Sequence, residues 1–496
     1  MATLLAFADD LSGAAETAAA LRMRAPRNTA VGTACAVALV LSTAGTGTEG
    51  AGADGTGTEG TGTDSTADPL PEGVDAIVID TDTRSLDVQD AERRTREIVR
   101  RVVARHPGAH VVKKIDSLLR GHIAAELAPF IDLDQDPGIV LCPALPVMGR
   151  TVVDGAVTVN GAPLADVDAW RRPTPSTSGA ARAAAPTTIA DAIAPLTASE
   201  ISLATVRSTP ATLATAIATA IARRHVVVCD AETDDDLAQI VRAAWDLDGP
   251  PAVLAGSSAL AGAAGEWMRQ PKRAGERRPA RQQAYQHREV STTDAALVVV
   301  AGTAEPGIRR QLARIAEHGA KVLTVTPLQL LDAPESVAQS IARHVAGEAC
   351  VAVTIDSAPV PDTVPTDGRT LSRALARAVA NGCGDADLVL TGGETARRVL
   401  DALGIESLSL GEPVMRTRGE ESRTADQCGT EETSTDETGA EETGTEEHGA
   451  VRLHTPDGRV IVTRPGSFGD DDSLLTIIRA VRPGSFRSIR QSKGTS

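Results

Sequence analysis

Short aliphatic runs recur through this chain between alanine-rich stretches of helical period, and that alternation restricts the fold more than any other feature. "TLLAFA" (3–8), "AIVID" (76–80), "AHVVKK" (109–114), "GIVLC" (138–142), "HVVVCD" (225–230) and "AVLAG" (252–256) come first. "ALVVVAG" (296–302), "KVLTVT" (321–326), "ACVAVTI" (349–355), "DLVLTGG" (387–393) and "RVIVTRPG" (459–466) follow. Strands that are apolar on both faces belong in parallel sheets covered on both sides, and the intervening helices supply the cover. The expected class is α/β, in two domains, each a mostly parallel sheet covered by helices. The 496 residues include only four Phe, three Trp and one Tyr. The cores must therefore rest on Val, Leu, Ile and Ala, and a stacking platform for nucleic-acid bases is not expected.

The polar, basic stretch "MRQPKRAGERRPARQQAYQHREVSTTD" (268–294) has no apolar period and reads as a linker. It divides the chain into an N-terminal domain (1–265), a linker (266–294), a C-terminal domain (295–487) and a flexible tail (488–496). Two low-complexity segments read as insertions, residues 44–68, where "GTGTEG" occurs twice, and residues 418–449. Neither can bury enough apolar surface to offset the entropy of ordering. Residues 420–447 hold eleven acids against one arginine and residues 44–68 five acids and no base, so most of the net charge of −17 lies in these insertions. The folded remainder is close to neutral. The G-x-G-x-x-G inside the first insertion opens no helix and is not read as a dinucleotide loop.

The six cysteines have neither disulfide-framework nor metal-site spacing, which fits a reducing cytoplasm. The opening "MATLLAFADDLSG" lacks the basic n-region of a signal peptide, and the apolar run "TACAVALVLSTAG" is too short to span a bilayer. No membrane or nucleic-acid partner is expected, while homo-oligomerisation is left open.

Ligands of open α/β sheets sit beyond the carboxyl ends of the strands. Four N-terminal strands end there in polar clusters: "ADDLSGA" with Asp9, Asp10 and Ser12; "DTDTRS" with Asp80, Asp82 and Arg84; "KKIDSLLRGH" with Lys113, Lys114, Asp116, Ser117 and Arg120; and "LCPALPVMGRT" with Arg150. Each alone could be a helix cap or a solvated strand end: Asp9-Asp10 could cap the first helix and Asp116-Ser117 a helix over "LLRGHIAAEL". Together they suggest a site for a small polyhydroxy anion, with Lys and Arg for a carboxylate or phosphate and Asp for hydroxyls. In the C-terminal half the equivalent positions carry glycine turns, Gly302-Thr303, Gly392-Gly393-Glu394-Thr395, and Arg464, Gly466 and Gly469. Ordinary tight turns would look similar, but glycines ahead of helix N-termini also suit phosphate. No GxxxxGK[ST] P-loop is present.

These ordered motifs resemble the four-carbon acid sugar kinase family. "ADDLSGA", "KKIDSLLRGHIAAEL" and "PALPVMGRTVVDGAVTVNGAPL" look like its N-terminal motifs, and "GGETA" and "TRPGSFG" are similar to its GGDTA and KxGxFG signatures. The resemblance implies an ATP-dependent kinase acting on the terminal hydroxyl of a tetronate such as threonate, erythronate or 3-oxo-tetronate. It implies substrate contacts at Asp9 or Asp10, Arg84, Lys114, Ile115, Asp116, Ser117 and Arg150. It implies nucleotide contacts at Thr303, Glu305, Gly392, Gly393, Glu394, Thr395 and Gly466. Three positions depart from the family pattern: Glu305 and Ile308 replace hydroxyl residues, and Arg464 stands where lysine is usual. Mg²⁺ is expected with the ATP phosphates. Lys114 and an arginine are expected to hold the substrate carboxylate, while Asp9, Asp10 or Asp116 orients a hydroxyl and takes its proton. Closure across the linker would exclude water. A kinase for another small hydroxy acid or sugar, or an inactive two-domain sensor, are the competing readings.

Overall fold

The computed structural model describes residues 3–23, 36–42, 71, 73–133, 137–171, 184–246, 250–270, 295–302, 306–356, 368–411, 414, 450–466 and 469–482. The 44–68 insertion, the 418–449 insertion, the tail, and Thr303 and Glu305 lie outside these residues. The linker's first residues do not: the helix Ser258–Arg269 continues through Arg269, whose guanidinium donates to the Leu21 carbonyl at 2.6 Å. The chain divides into two compact units, one of residues 1–288 and 404–410, the other of residues 289–403 and 411–496.

In the first unit the strands are β1 (Leu4–Ala8), β2 (Val37–Leu41), β3 (Ala76–Asp80), β4 (His110–Lys114), β5 (Ile139–Cys142), β6 (Arg150–Val153), β7 (Ala156–Val159), β8 (Ala162–Pro163), β9 (Ala198–Ile201), β10 (Val226–Cys229) and β11 (Val253–Gly256). The main sheet runs β2-β3-β1-β4-β11-β5-β10-β9, and all these pairs are parallel. Its central strands are buried along their whole length, as the continuous aliphatic runs require. The covering helices bury one stripe each. Val88–Arg105, capped by the Asp87 carboxylate on the Asp90 amide, buries Ala91, Thr95, Ile98, Val99 and Val102.

Three features of this unit depart from the expected alternation. β2 lies inside the apolar run weighed above only as a membrane span, and no helix among the described residues is long and apolar enough to cross a membrane. A strand from far along the chain, Ser407–Leu410, pairs antiparallel with β2 at the sheet edge, and the Arg22 guanidinium donates to its Leu410 carbonyl at 2.9 Å. β6, β7 and β8 form a small antiparallel sheet of their own. Its two tight turns are Asp154-Gly155 and Asn160-Gly161, all four residues at positive φ, the conformation that two-residue hairpin turns need.

The second unit holds β12 (Leu297–Ala301), β13 (Lys321–Val325), β14 (Cys350–Ile355), β15 (Asp387–Thr391), β17 (Val451–His454) and β18 (Val460–Arg464), with Ser407–Leu410 counted as β16 in chain order. The order is β13-β14-β12-β15-β18-β17, parallel except for the β17–β18 pair. Leu297, Val299 and Ala301 of β12 pack with Ile308, Leu312 and Ile315 and with Leu474, Leu475 and Ile478 in one core cluster.

Candidate active site

Register assembles the first unit's polar cluster. β1 pairs with β3 on one side and β4 on the other, Ala8 opposite Asp80 and Phe7 opposite Lys113. The chain segments leaving the three strands therefore emerge side by side. Asp9 and Asp10 follow β1, Thr81 to Arg84 follow β3, and Lys114 closes β4. The Arg84 Nε lies 2.8 Å from Asp9 Oδ2 and 3.1 Å from Asp10 Oδ2. The Thr83 and Arg84 amides both donate to the Asp9 carbonyl, which pins the two loops together. Asp10 also caps the helix Leu11–Met23, its Oδ1 accepting from the Gly13 amide at 2.6 Å. Gly13 sits close to the cluster: a Cβ there would crowd Asp10 Oδ1 at 3.1 Å and touch Lys114 Nζ at 3.5 Å.

The two consecutive lysines separate, as neighbours on a strand must. Lys113 is fully buried, its Nζ 2.7 Å from Glu126 Oε2, and Thr83 Oγ1 donates to the other Glu126 oxygen at 2.7 Å. It is a structural cation. Lys114 turns to the opposite face, its Nζ donating to the Ile115 carbonyl at 3.1 Å and lying 4.0 Å from Glu16 Oε2. Ile115 itself is a core side chain, and its contribution here is that carbonyl.

The loop after β4 corrects one expectation. No helix begins at Asp116-Ser117. Leu119 and Gly121 take left-handed conformations, φ +58° and +100°, and the helix starts at Ile123. Arg120 thus lies in the loop, where it folds back on Asp116: its Nε donates to Oδ2 at 2.6 Å and a terminal nitrogen to Oδ1 at 3.1 Å. Arg150, at the start of β6, donates to Ser117 Oγ, and the Trp170 indole donates to the Leu118 carbonyl at 2.9 Å. Asp9, Asp10, Arg84, Lys114, Asp116, Ser117 and Arg150 are therefore one cluster.

Burial would raise the Asp9 carboxyl, but Arg84, Lys113 and Lys114 outweigh it and hold the group below the ordinary aspartate range. Burial likewise opposes ionisation of Asp116, and the Arg120 hydrogen bond with the charges of Arg84 and Lys114 keeps it well below that range. Both are carboxylates at neutral pH. Burial lowers the pKa of the Arg150 guanidinium, against the charges of Asp116 and Glu16. Within this cluster two buried polar atoms of opposite sense have no partner among the described residues: Asp9 Oδ1, an acceptor, and Arg150 Nε, a donor. Sequence reasoning missed Glu16, Glu126 and Gly121. Gly121 approaches closely enough that a Cβ would stand 3.5 Å from Asp9 Oδ2.

In the second unit the glycine turns also converge. Ala301 of β12 pairs with Thr391 of β15, Thr391 with Arg464 of β18, and the Gly392 amide donates to the Arg464 carbonyl at 2.9 Å. Gly302, Gly392 and Gly466 thereby leave neighbouring strand ends. Gly392, at φ +87°, caps the helix Gly393–Ala402 with open space where a side chain would be. Thr395 is buried against Gly302, where a Cβ would fall 2.0 Å from its Oγ1. The Glu394 carboxylate is held by Arg398, Nε to Oε1 at 2.8 Å, so the amide of Glu394 is what it presents at the helix N-terminus. Ile308 is buried in the core, which makes its departure from the family pattern a packing change. Gln311, also buried, has an Oε1 without a partner among the described residues and an Nε2 3.4 Å from the Gly469 carbonyl.

Comparison with known proteins bears on both halves. Residues 4–264 match a family described as a sugar-binding N-terminal domain, and residues 298–419 one described as a nucleotide-binding C-terminal domain. A D-threonate kinase of Cupriavidus necator is 33% identical over 434 residues, 82% of this chain and 87% of that protein. A 3-oxo-tetronate kinase of Methylobacterium radiotolerans is 28% identical over 379 residues, 71% of this chain and 84% of that protein. The solved structure of a Haemophilus influenzae protein superposes with a TM-score of 0.60 at 18% identity, covering 95% of this chain and 98% of that one, and so shares the fold. With both domain families matched in order and a relative of this similarity spanning most of the chain, the protein belongs to the four-carbon acid sugar kinases and is a phosphotransferase.

Proposed function

We propose that the protein transfers the γ-phosphoryl group of ATP to the terminal (4-) hydroxyl of a four-carbon acid sugar such as threonate, erythronate or 3-oxo-tetronate. The observation that carries this reading is the pair of buried atoms, within the cluster of strand-end residues, that have no partner among the described residues. Arg150 Nε can donate to a carboxylate and Asp9 Oδ1 can accept from a hydroxyl, and a small hydroxy acid offers both. Lys114, which makes no close ion pair among the described residues, adds positive charge beside them and suits a carboxylate. Asp10 and Asp116, fixed by Gly13 and Arg120, orient hydroxyls. The first unit is thus the sugar-acid site. Catalysis in such a site rests on positioning and charge more than on covalent chemistry.

The second unit fits a nucleotide triphosphate tail. The amides of Gly393, Glu394 and Thr395 open a helix, Gly302 lets the Thr395 side chain pack against the β12 end, and the space at Gly392 is clear for a phosphate to approach. Thr303 and Glu305 would complete this nucleotide site. Bound there, ATP supplies the transferable phosphoryl group, with Mg²⁺ entering on its phosphates. Replacing Gly392 by Ala forces a side chain into a conformation that suits glycine, a strain of about 1–3 kcal/mol. Calorimetric ATP affinity is expected to fall several-fold in G392A while binding of the sugar acid is retained. An unchanged ATP isotherm would count against this loop.

The reading as a whole is tested by ADP release in the presence of a panel of tetronates and longer aldonates. Stimulation by one or more four-carbon acids is the expected result. Stimulation only by a longer acid or a neutral sugar would move the substrate class, and no stimulation by any of them would favour a sensor that binds without turnover.

A further inference from the structure

Phosphoryl transfer to a hydroxyl forms a bond from that oxygen to the γ-phosphorus and breaks the bond to the bridging oxygen, whose electron pair leaves with ADP. The hydroxyl's own O–H bond also breaks, and its proton needs an acceptor. The three aspartates expected to supply one are poorly suited to it. Asp9 Oδ2 is held by Arg84 in a buried ion pair, while its Oδ1 has no partner among the described residues. Arg84, Lys113 and Lys114 hold the carboxyl below the ordinary aspartate range, so that free oxygen can accept a hydrogen bond but is a weak base. Asp10 gives one oxygen to the Gly13 amide and the other to Arg84. Both oxygens of Asp116 accept from Arg120.

Glu16 is different. It lies on the helix Leu11–Met23, two turns beyond the strand end, and its carboxylate accepts no hydrogen bond among the described residues. Its nearest cation is Lys114 Nζ at 4.0 Å, and its side chain is 28% exposed. A carboxylate that is open, beside the substrate-holding lysine and still in touch with water can both take a proton and release it. Resting on the reading of the first unit as the sugar-acid site, we propose that Glu16 is the base that receives the proton of the acceptor hydroxyl, which then passes to solvent.

The charges facing Glu16 are Lys114 from the end of β4, Asp116 from the loop after it, Asp10 from the loop after β1 and Arg84 from the loop after β3; Arg150 on β6 senses it in turn. Burial, with Asp10 and Asp116 nearby, raises the Glu16 carboxyl above the ordinary glutamate range against the pull of Lys114 and Arg84. That shift moves the base toward working pH, where a proton acceptor is most effective. Activity should therefore be lost as pH falls through a value above that of an ordinary glutamate.

The test compares wild type, E16Q and E16D, using the acceptor that wild type phosphorylates best. E16Q is expected to lose about a hundredfold in kcat with KM for the acid little changed, and to lose the acidic limb of the pH profile, while E16D recovers part of the rate. An E16Q variant with unchanged kcat and a raised KM would overturn the proposal, because Glu16 would then act only by positioning Lys114. A difference potentiometric titration of wild type against E16Q reads the Glu16 proton without turnover. A group titrating at or below the ordinary glutamate range would also overturn it. If only an acceptor outside the tetronates is phosphorylated, the substrate assignment fails while the Glu16 comparison still decides.

Discussion

Replacing Lys113 by methionine is expected to destabilise the first unit by about 3–5 kcal/mol, the usual consequence of leaving one member of a buried ion pair uncompensated. Lys113 has no exposed surface and the Glu126 side chain only 3%, so no water can take the lost partner's place. Glu126 also receives the Thr83 hydroxyl, and Thr83 and Arg84 fasten to Asp9 through their amides. The damage should therefore spread to the loops that carry Asp9 and Arg84. Intrinsic fluorescence reads this unit alone, because all three tryptophans, Trp170, Trp245 and Trp267, belong to it. Trp245 and Trp267 meet edge to face, ring centroids 5.1 Å apart, so their emission should report the loss of packing. The thermal midpoint seen this way should fall by on the order of 10 °C. The double variant K113M/E126L should recover much of the loss, since a well-packed apolar pair can replace a buried ionic one. A K113M protein that melts with wild type would show that the pair holds nothing together.

The adjacent substitution has a different profile. Lys114→Ala should lower the thermal midpoint less than K113M does, because among the described residues its ammonium makes no close ion pair, only a hydrogen bond to the Ile115 carbonyl and a contact with a carboxylate 4.0 Å away. It should nevertheless reduce kcat/KM for the sugar acid on the order of a hundredfold, the scale of a hydrogen bond to a charged group, with ATP binding retained. Unchanged kinetics would remove Lys114 from the anion site. Because the two lysines are neighbours in sequence, the contrast between K113M and K114A separates support of the loops from contact with substrate.

That contrast also marks how far the sequence could be read. The parallel strands were legible because burial on both faces leaves an unbroken aliphatic signature, and the polar clusters at their ends were legible because such sheets bind ligands there. The resemblance pointed to Lys114, but that its neighbour Lys113 is buried against Glu126 was not legible. That burial depends on the side of the sheet to which the Glu126 helix packs, a tertiary fact. A helix over "LLRGHIAAEL" capped by Asp116-Ser117 is one reading the sequence allows, although Gly121 is a signal against it, and the structure breaks there at Leu119 and Gly121. The β6–β8 hairpins carried the Asp-Gly and Asn-Gly pairs that announce tight turns, set inside a motif read only for its likeness to a family. Glu16 gave no local signal: one acid on an alanine-rich helix is ordinary until Lys114 is placed opposite it.

The short strand Ser407–Leu410 has a practical corollary for anyone cutting this protein into its halves. A fragment ending near residue 288 would contain every element of the sugar-acid cluster yet leave β2 without its antiparallel neighbour. The freed edge would offer a row of unpaired amides and carbonyls along "VALVL", a template on which a second copy of the fragment could pair. Self-association of such a fragment would then be an artefact of the cut. Ligand studies on the isolated first half call for the missing strand to be grafted back through a short loop, or for the edge to be blunted with charge.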